Sequence, residues 1–214
     1  MPAAPDLTPD RVRSVSGLTT ASILILGSKF LTALAPAETE ADAEELLNLR
    51  SRRYPDASHH CWAIRVGRPG ELLERSADAG EPSGTAGRPI LDALRGARLE
   101  NVVCVVSRYF GGTKLGTGGL VRAYADAANA AIAEATCVDR TVVRVVALDF
   151  EHERTGIVYR ALDEFGVHFQ KGHYDERAHG HVDVPASQAE PLRTRIRELA
   201  RTGVDWTEGE LTLR

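Results

Sequence analysis

A run of basic residues and glycines between residues 108 and 122 has the composition of an anion-binding site. Its cations are Arg108, Lys114 and Arg122, and its glycines are Gly111, Gly112, Gly116, Gly118 and Gly119. Glycine lets the backbone approach a ligand closely, and the free N–H groups at a helix N-terminus favour negative charge. The pattern therefore predicts a site for phosphate, either in a nucleic acid or in a small molecule. The same site is expected to include Arg88, Tyr109 and Thr117.

The spacing of these glycines matches no common nucleotide motif. Gly111 and Gly116 are spaced as in a P-loop, but Thr117 stands where that motif requires lysine. Gly116 and Gly118 could begin a dinucleotide motif, whose third glycine position holds Val121. The alternative is that the glycines serve only a tight turn and close helix packing.

A second polar segment, Ser76 to Pro89, has no hydrophobic periodicity and is predicted to be a loop. If it folds against the glycine-rich run, it adds four polar side chains to one surface: Asp78, Glu81, Ser83 and Thr85. Asp78 and Glu81 are then the candidate general bases or metal ligands, although no nucleophile accompanies them in a recognisable order. We favour the alternative for Asp78 and Ser83, in which they bond to nearby backbone groups as such residues do in turns.

Aromatic and histidine side chains offer two further interpretations. Tyr109, Phe110 and Tyr124 flank the basic run, where aromatic rings could stack on single-stranded RNA or simply pack as core. His59, His60 and Cys61 are adjacent on a predicted strand, so alternation prevents all three from converging on one metal. His179 and His181 share a strand face, but such hairpin pairs are usually solvated. No metal site and no cofactor is expected.

The elements that must position these residues fall into two halves. A buried strand around Cys104 precedes the basic run, and an alanine-rich helix from Leu120 to Ala135 follows it. The second half predicts the order βαββαβ of a ferredoxin-like domain. We expect a disordered tail over 1–16, an N-terminal βα domain over 17–138 and the ferredoxin-like domain over 139–214. The predicted fold class is α+β with two domains.

Composition limits the function classes. The chain is 43% hydrophobic and 26% charged with a net charge of −4, which disfavours a general nucleic-acid coat. Residues 82–122, however, hold six basic and two acidic residues, a local charge of +4. Three widely spaced cysteines indicate reduced core residues of a cytoplasmic protein. The N-terminus lacks the features of a signal peptide, and no apolar run is long enough to span a bilayer.

Three long motifs resemble those of the IMPACT family, in its bacterial YigZ branch. They are ASHHCWA at 57–63, ADAGEPSGTAGRPIL at 77–91 and SRYFGGTKLGTGGLVRAYADA at 107–127, and GSKFL at 27–31 also fits. The resemblance implies a first domain similar to domain four of elongation factor G and to a small-subunit ribosomal protein. It implies a second, ferredoxin-like domain similar to domain five of that factor. One position differs, because Ala79 follows Asp78 where the family usually has a second aspartate.

Members of the family are linked to translational regulation, so the resemblance implies a regulator that binds RNA or the ribosome. The missing second aspartate favours binding over catalysis, and we do not expect an enzyme. Two alternatives stay open: an enzyme acting on a phosphorylated small molecule, and a protein-interaction module. The sequence indicates no oligomeric state.

Overall fold

The computed structural model describes residues 10–67, 71–174 and 176–214, with only the backbone at 171, 173 and 174. The described chain divides into two compact units. One is continuous, Val12–Asp139, and the other contains Arg140–Arg214 together with the described residues up to Arg11. The mixed α+β class predicted from the sequence is confirmed.

The first unit is built on a five-stranded antiparallel sheet with helices on both faces. Its elements are β1 (Arg11–Val15), β2 (Thr19–Ile25), β3 (Ser28–Pro36), α1 (Glu40–Arg53), β4 (His59–Val66), β5 (Leu73–Ala77), α2 (Gly87–Gly96), β6 (Val102–Tyr109) and α3 (Gly116–Glu134). The strand order is β2-β3-β6-β4-β5. Strand β6 lies in the middle, which explains why its run of valines is buried almost throughout.

Alternation along the strands separates the two faces of this sheet. Phe30, Cys104 and Val106 point toward α2 and α3, where the larger core forms. Ala33 and Val105 point toward α1 and join a smaller core on the opposite face. Helix α1 begins with a capping box, in which the Thr39 hydroxyl accepts from the Asp42 N–H and the Asp42 carboxylate accepts from the Thr39 N–H.

The second unit has the element order and strand order of a ferredoxin-like fold. Its elements are β7 (Cys137–Glu151), α4 (Thr155–Glu164), β8 (Gln170–Tyr174), β9 (Arg177–Pro185), α5 (Ala189–Ala200) and β10 (Val204–Leu213). The strands pair antiparallel in the order β10-β7-β9-β8. Helices α4 and α5 cover a core that includes Phe150, Leu162 and Leu192. This part of the fold prediction is confirmed.

Two predicted boundaries are wrong. Residues 11–15 form β1 rather than part of a disordered tail, because Val12 and Val15 are buried and the backbone is paired in a sheet. Positions 1–9 of that predicted tail lie outside the described residues. Helix α3 begins at Gly116, four residues before the predicted start, so the last three glycines of the basic run belong to its first turn.

Candidate anion site at the start of helix α3

Gly111 has a packing role between β6 and α3. A Cβ atom at Gly111 would lie 1.9 Å from the carbonyl carbon of Gly27 and 2.2 Å from the Ser28 nitrogen. Gly27 itself has a φ of +82° in the β2–β3 turn, where a side chain would be strained. Two backbones therefore meet here without side chains, and Gly111 donates its N–H to the Ser28 hydroxyl at 3.2 Å.

The remaining glycines leave the start of α3 open. Gly112 and Gly116 have φ values of +86° and +68°, and both face open space. A Cβ atom at Gly118 would lie 3.8 Å from Arg122 Nη1, whereas one at Gly119 would lie only 3.2 Å from Leu115 Cβ. No side chain caps α3, and its first turn contains no acidic residue. The exposed N-terminal amides of this 19-residue helix are thus available to an anion.

Arg108 is not part of that open surface. Its side chain is only 6% exposed, and Nη1 donates to Glu81 Oε1 at 2.6 Å. Nη2 donates to the Ser28 hydroxyl at 3.3 Å, while Nε is buried without a hydrogen-bond partner. The positive charge of Arg108 is therefore neutralised inside the fold, contrary to its predicted role as a solvent-facing phosphate contact.

Glu81 is the centre of a buried polar network. Besides the Arg108 ion pair, its Oε1 accepts from the Tyr124 hydroxyl at 2.8 Å, and Nε2 of His59 lies 3.9 Å away. Cys61 Sγ lies 2.9 Å from the Asp78 carbonyl oxygen, which can accept its single S–H hydrogen bond, and 3.2 Å from the Tyr124 oxygen. Burial raises the pKa of Cys61 to about 12, so this thiol is a poor nucleophile. Burial likewise raises the pKa of Tyr124, and Cys61 and Glu81 add to the rise.

Asp78 holds the loop that leads into α2. Its carboxylate accepts three backbone N–H bonds, from Gly84, Ala86 and Gly87, at 2.7 to 2.9 Å. Burial alone would raise the pKa of Asp78, but the three bonds outweigh it and the pKa lies below its ordinary value. These bonds match the alternative in which Asp78 serves local backbone, and they occupy the carboxylate that a catalytic base would need.

The other two polar residues of this loop, Ser83 and Thr85, differ in burial. The Thr85 hydroxyl is buried and donates to the Pro82 carbonyl at 2.6 Å, whereas Ser83 is exposed. Thr85 is therefore a turn-forming residue, and the polar loop does not present four hydroxyl and carboxyl groups to one surface as predicted. Only Glu81 of the four lines the cleft beside the start of α3.

The predicted cations also differ in how free they are. Lys114 and Arg122 are exposed, and within the described parts of the chain neither forms an ion pair. Arg88 is exposed but donates through Nε to both carboxylate oxygens of Asp92 at 2.9 Å. Tyr109 lies on the sheet face opposite Arg108, because neighbouring side chains on β6 alternate. The structure thus brings Lys114 together with Gly116 and Thr117 in one cleft and places Arg122 beside Gly118, whereas Arg88 and Tyr109 do not line that cleft.

A cleft of about 270 Å³ lies beside the start of α3. Phe110, which is half exposed, lines it together with Lys114, Gly116, Thr117 and the buried Arg108–Glu81 pair. The cleft therefore combines helix amides, one free ammonium group and one aromatic ring. That chemistry suits a phosphate with an attached planar group.

Sequence reasoning missed two structural members of the site. Ser28 is fully buried and accepts from both Arg108 and Gly111, and His59 Nδ1 lies 2.9 Å from the Ala79 carbonyl oxygen. The signal for Ser28 is its position in the GSKFL motif, between Gly27 of the turn and the core residue Phe30. For His59, the sequence pattern offers only a metal-ligand role, which strand alternation disfavours. Over residues 10–67, 71–174 and 176–214, no three metal-ligating side chains cluster.

Comparisons with known proteins agree on the relatives of this chain. The sequence profile of the Impact N-terminal domain matches residues 26–132. The IMPACT family member YvyE of Bacillus subtilis is 33% identical over 190 residues, which cover 89% of this chain and 87% of that protein. The family member YigZ of Escherichia coli is 39% identical over 132 residues, covering 61% and 65%.

One solved structure matches nearly the whole chain. The crystal structure of a hypothetical protein aligns with a TM-score of 0.66 and 28% identity, covering 95% of this chain and 99% of that chain. No helix within the described residues is both long and apolar enough to cross a membrane.

Proposed function

Because the chain belongs to the IMPACT family, in its YigZ branch, we propose that it is a cytoplasmic, translation-related regulator that binds RNA phosphates at the start of α3. The observation that carries this proposal is the open N-terminus of α3, near two exposed cations that form no ion pair within the described residues. The link to translation comes from what the family resemblance implies.

The contacts proposed for RNA are mainly to its backbone. The amides of Gly116, Thr117 and Gly118 would donate to one phosphate, and Lys114 and Arg122 would neutralise it or its neighbour. Phe110 could stack on a base next to that phosphate, since its ring is half exposed. Arg108 has no RNA contact in this proposal. It supports the site through its hydrogen bonds to Glu81 and Ser28.

The test is RNA binding measured by fluorescence anisotropy over a range of salt concentrations. Wild type is compared with Lys114→Ala/Arg122→Ala and with a matched control, Arg52→Ala/Arg98→Ala, which also removes two exposed positive charges. We expect the first variant to lose affinity and to lower the salt slope by about 1.4 to 2, because each of the two lost phosphate contacts lowers it by about 0.7 to 1. We expect the control to change the slope by much less.

Two outcomes would count against the proposal. If wild type does not bind RNA, RNA is not the ligand. If both double variants weaken binding equally, the interaction follows net charge and does not involve the start of α3. Both variants change only exposed side chains, so circular dichroism should show unchanged folding.

The cleft beside α3 favours one alternative, a phosphorylated small molecule. A volume of about 270 Å³ is close to the lower limit of typical small-ligand pockets. A panel of nucleotides and sugar phosphates, screened by the rise in melting temperature, distinguishes this ligand class from RNA. A compound that stabilises wild type but not Lys114→Ala would favour the small ligand, particularly if RNA has no effect.

A further inference from the structure

A second cleft lies on the opposite face of the same sheet, between α1 and the strands β2 and β3. Helix α1 packs mainly on β4 and β6 and leaves β2 uncovered on this face. Thr20, Ser22 and Leu24 consequently point into solvent from β2. The cleft has a volume of about 320 Å³, and none of its lining residues is acidic.

Arg50 lines this cleft and carries an uncompensated charge. It is only 5% exposed, its Nη2 donates to the Leu31 carbonyl at 2.8 Å, and its guanidinium lies 4.4 Å from the centre of the Tyr54 ring. Nε is buried without a hydrogen-bond partner. Within the described residues no carboxylate forms an ion pair with Arg50, and burial lowers the pKa of this guanidinium.

The contrast with Arg108 shows why this arrangement is unusual. Both arginines are about 95% buried, and both have an Nε without a partner. Arg108 has Glu81 at 2.6 Å, whereas Arg50 contacts the Leu31 carbonyl oxygen and the Tyr54 side chain and pairs with no carboxylate among the described residues. Burying a charge without a counter-ion costs free energy, and a bound anion would remove that cost.

We propose that this cleft binds a small organic anion, with a carboxylate or phosphate group attached to an apolar body, and that Arg50 provides the charge that selects it. Arg53, at the same end of α1, adds a second positive charge to the wall. Leu18, Leu46 and Leu49 supply apolar surface for the body of the ligand. The volume lies within the range of small-ligand pockets, and an arginine suits both carboxylate and phosphate geometry.

The experiment uses three probes of similar shape: benzoate, phenyl phosphate and the neutral benzamide. Each is titrated into ¹⁵N-labelled protein while backbone amide shifts are recorded. We expect at least one of the two anions to shift the amides of Ser22, Leu31 and Arg53, and benzamide to shift them far less. The anion that binds identifies the chemical class.

Three variants assign the effect to the cleft. Arg50→Gln should raise the Kd for the anion by at least about tenfold, the loss expected for a charged hydrogen bond. Ser22→Trp changes an exposed residue and fills the cleft while keeping Arg50, so it should abolish binding even if Arg50→Gln folds poorly. Arg52→Gln, a charge-matched change on α1 outside the cleft lining, should leave the Kd unchanged.

The proposal is overturned if neither anion binds to wild type, or if benzamide binds as tightly as the anions. It is also overturned if Ser22→Trp binds like wild type, or if the shifts cluster around Gly116–Gly119 instead. None of these outcomes depends on RNA, so the proposal for this cleft is tested independently of the proposal for the site at α3.

Discussion

The loop before α2 and the turn before α3 are both rich in glycine and charged residues, but they use their charges in opposite ways. In the first, Asp78 and Glu81 have their carboxylates occupied by backbone amides, Arg108 and Tyr124. In the second, Lys114, Arg122 and the first amides of α3 remain exposed. The charged groups of the loop stabilise the fold, and those of the turn are left for a ligand. A polar motif therefore indicates function only where its charges lack partners in the protein.

The largest expected effect comes from breaking the Arg108–Glu81 pair. Arg108→Met should destabilise the protein by about 3–5 kcal/mol, because Glu81 would remain buried without its counter-ion. Urea denaturation measures the change, and Lys114→Ala serves as the exposed control, with an expected change within about 0.5 kcal/mol. Small and equal losses of unfolding free energy in both variants would show that the charge of Arg108 is as dispensable for folding as that of Lys114.

Gly111→Ala should destabilise by about 3 kcal/mol, since its Cβ would overlap the backbone of Gly27. Gly112→Ala is the control. A Cβ atom at Gly112 would face open space, so the substitution is opposed only by the positive φ, at a cost of about 1–2 kcal/mol. The midpoints of thermal unfolding of Gly111→Ala and Gly112→Ala measure the difference. If Gly112→Ala proved the more harmful, the contact between the two backbones would not be what requires glycine here.

Much of the fold could be predicted from the sequence, because it follows local patterns. The valines of β6, the alanines of α3 and the helix–strand order after residue 140 predict their elements directly. The partners of charged residues could not be predicted, since the Arg108–Glu81 pair and the Ser28–Gly111 bond join positions 27 and 83 residues apart. Composition shows that Arg108 is charged but not that Glu81 neutralises it. Strand β1 was missed for the same reason, because its partners lie far along the chain.

Asp78→Asn should cost about 1–3 kcal/mol at neutral pH, because the charged acceptor of three N–H bonds is lost. The pKa of Asp78 is lower in the folded than in the unfolded protein. Its stabilisation is therefore complete above the unfolded value of 3.8 and disappears as the pH falls through the folded pKa. Urea midpoints of wild type and variant should converge below pH 3.8. A constant difference at all pH values would show that the charge of Asp78 is unimportant.

The smallest expected effect is a gain. Gly118→Ala in the first turn of α3 meets no atom closer than 3.8 Å, so it should stabilise the helix by up to about 1 kcal/mol. The added methyl group would stand at the proposed phosphate site and should weaken RNA binding. Thermal unfolding and anisotropy on the same sample test both parts. A more stable variant with unchanged RNA affinity would show that the phosphate does not bind at these amides.

The position of Asp10 has a consequence for how the chain is completed during synthesis. Its carboxylate accepts from the N–H and the hydroxyl of Ser187, and its carbonyl accepts from the Val142 N–H at 2.7 Å. Residues 12–139 form a unit that is continuous in sequence, so it can fold while later residues are still being added. Asp10 is made before this unit, yet its carboxylate has no Ser187 to bind until that residue emerges from the ribosome. Asp10 is thus made before the continuous unit but reaches its partners after that unit is complete.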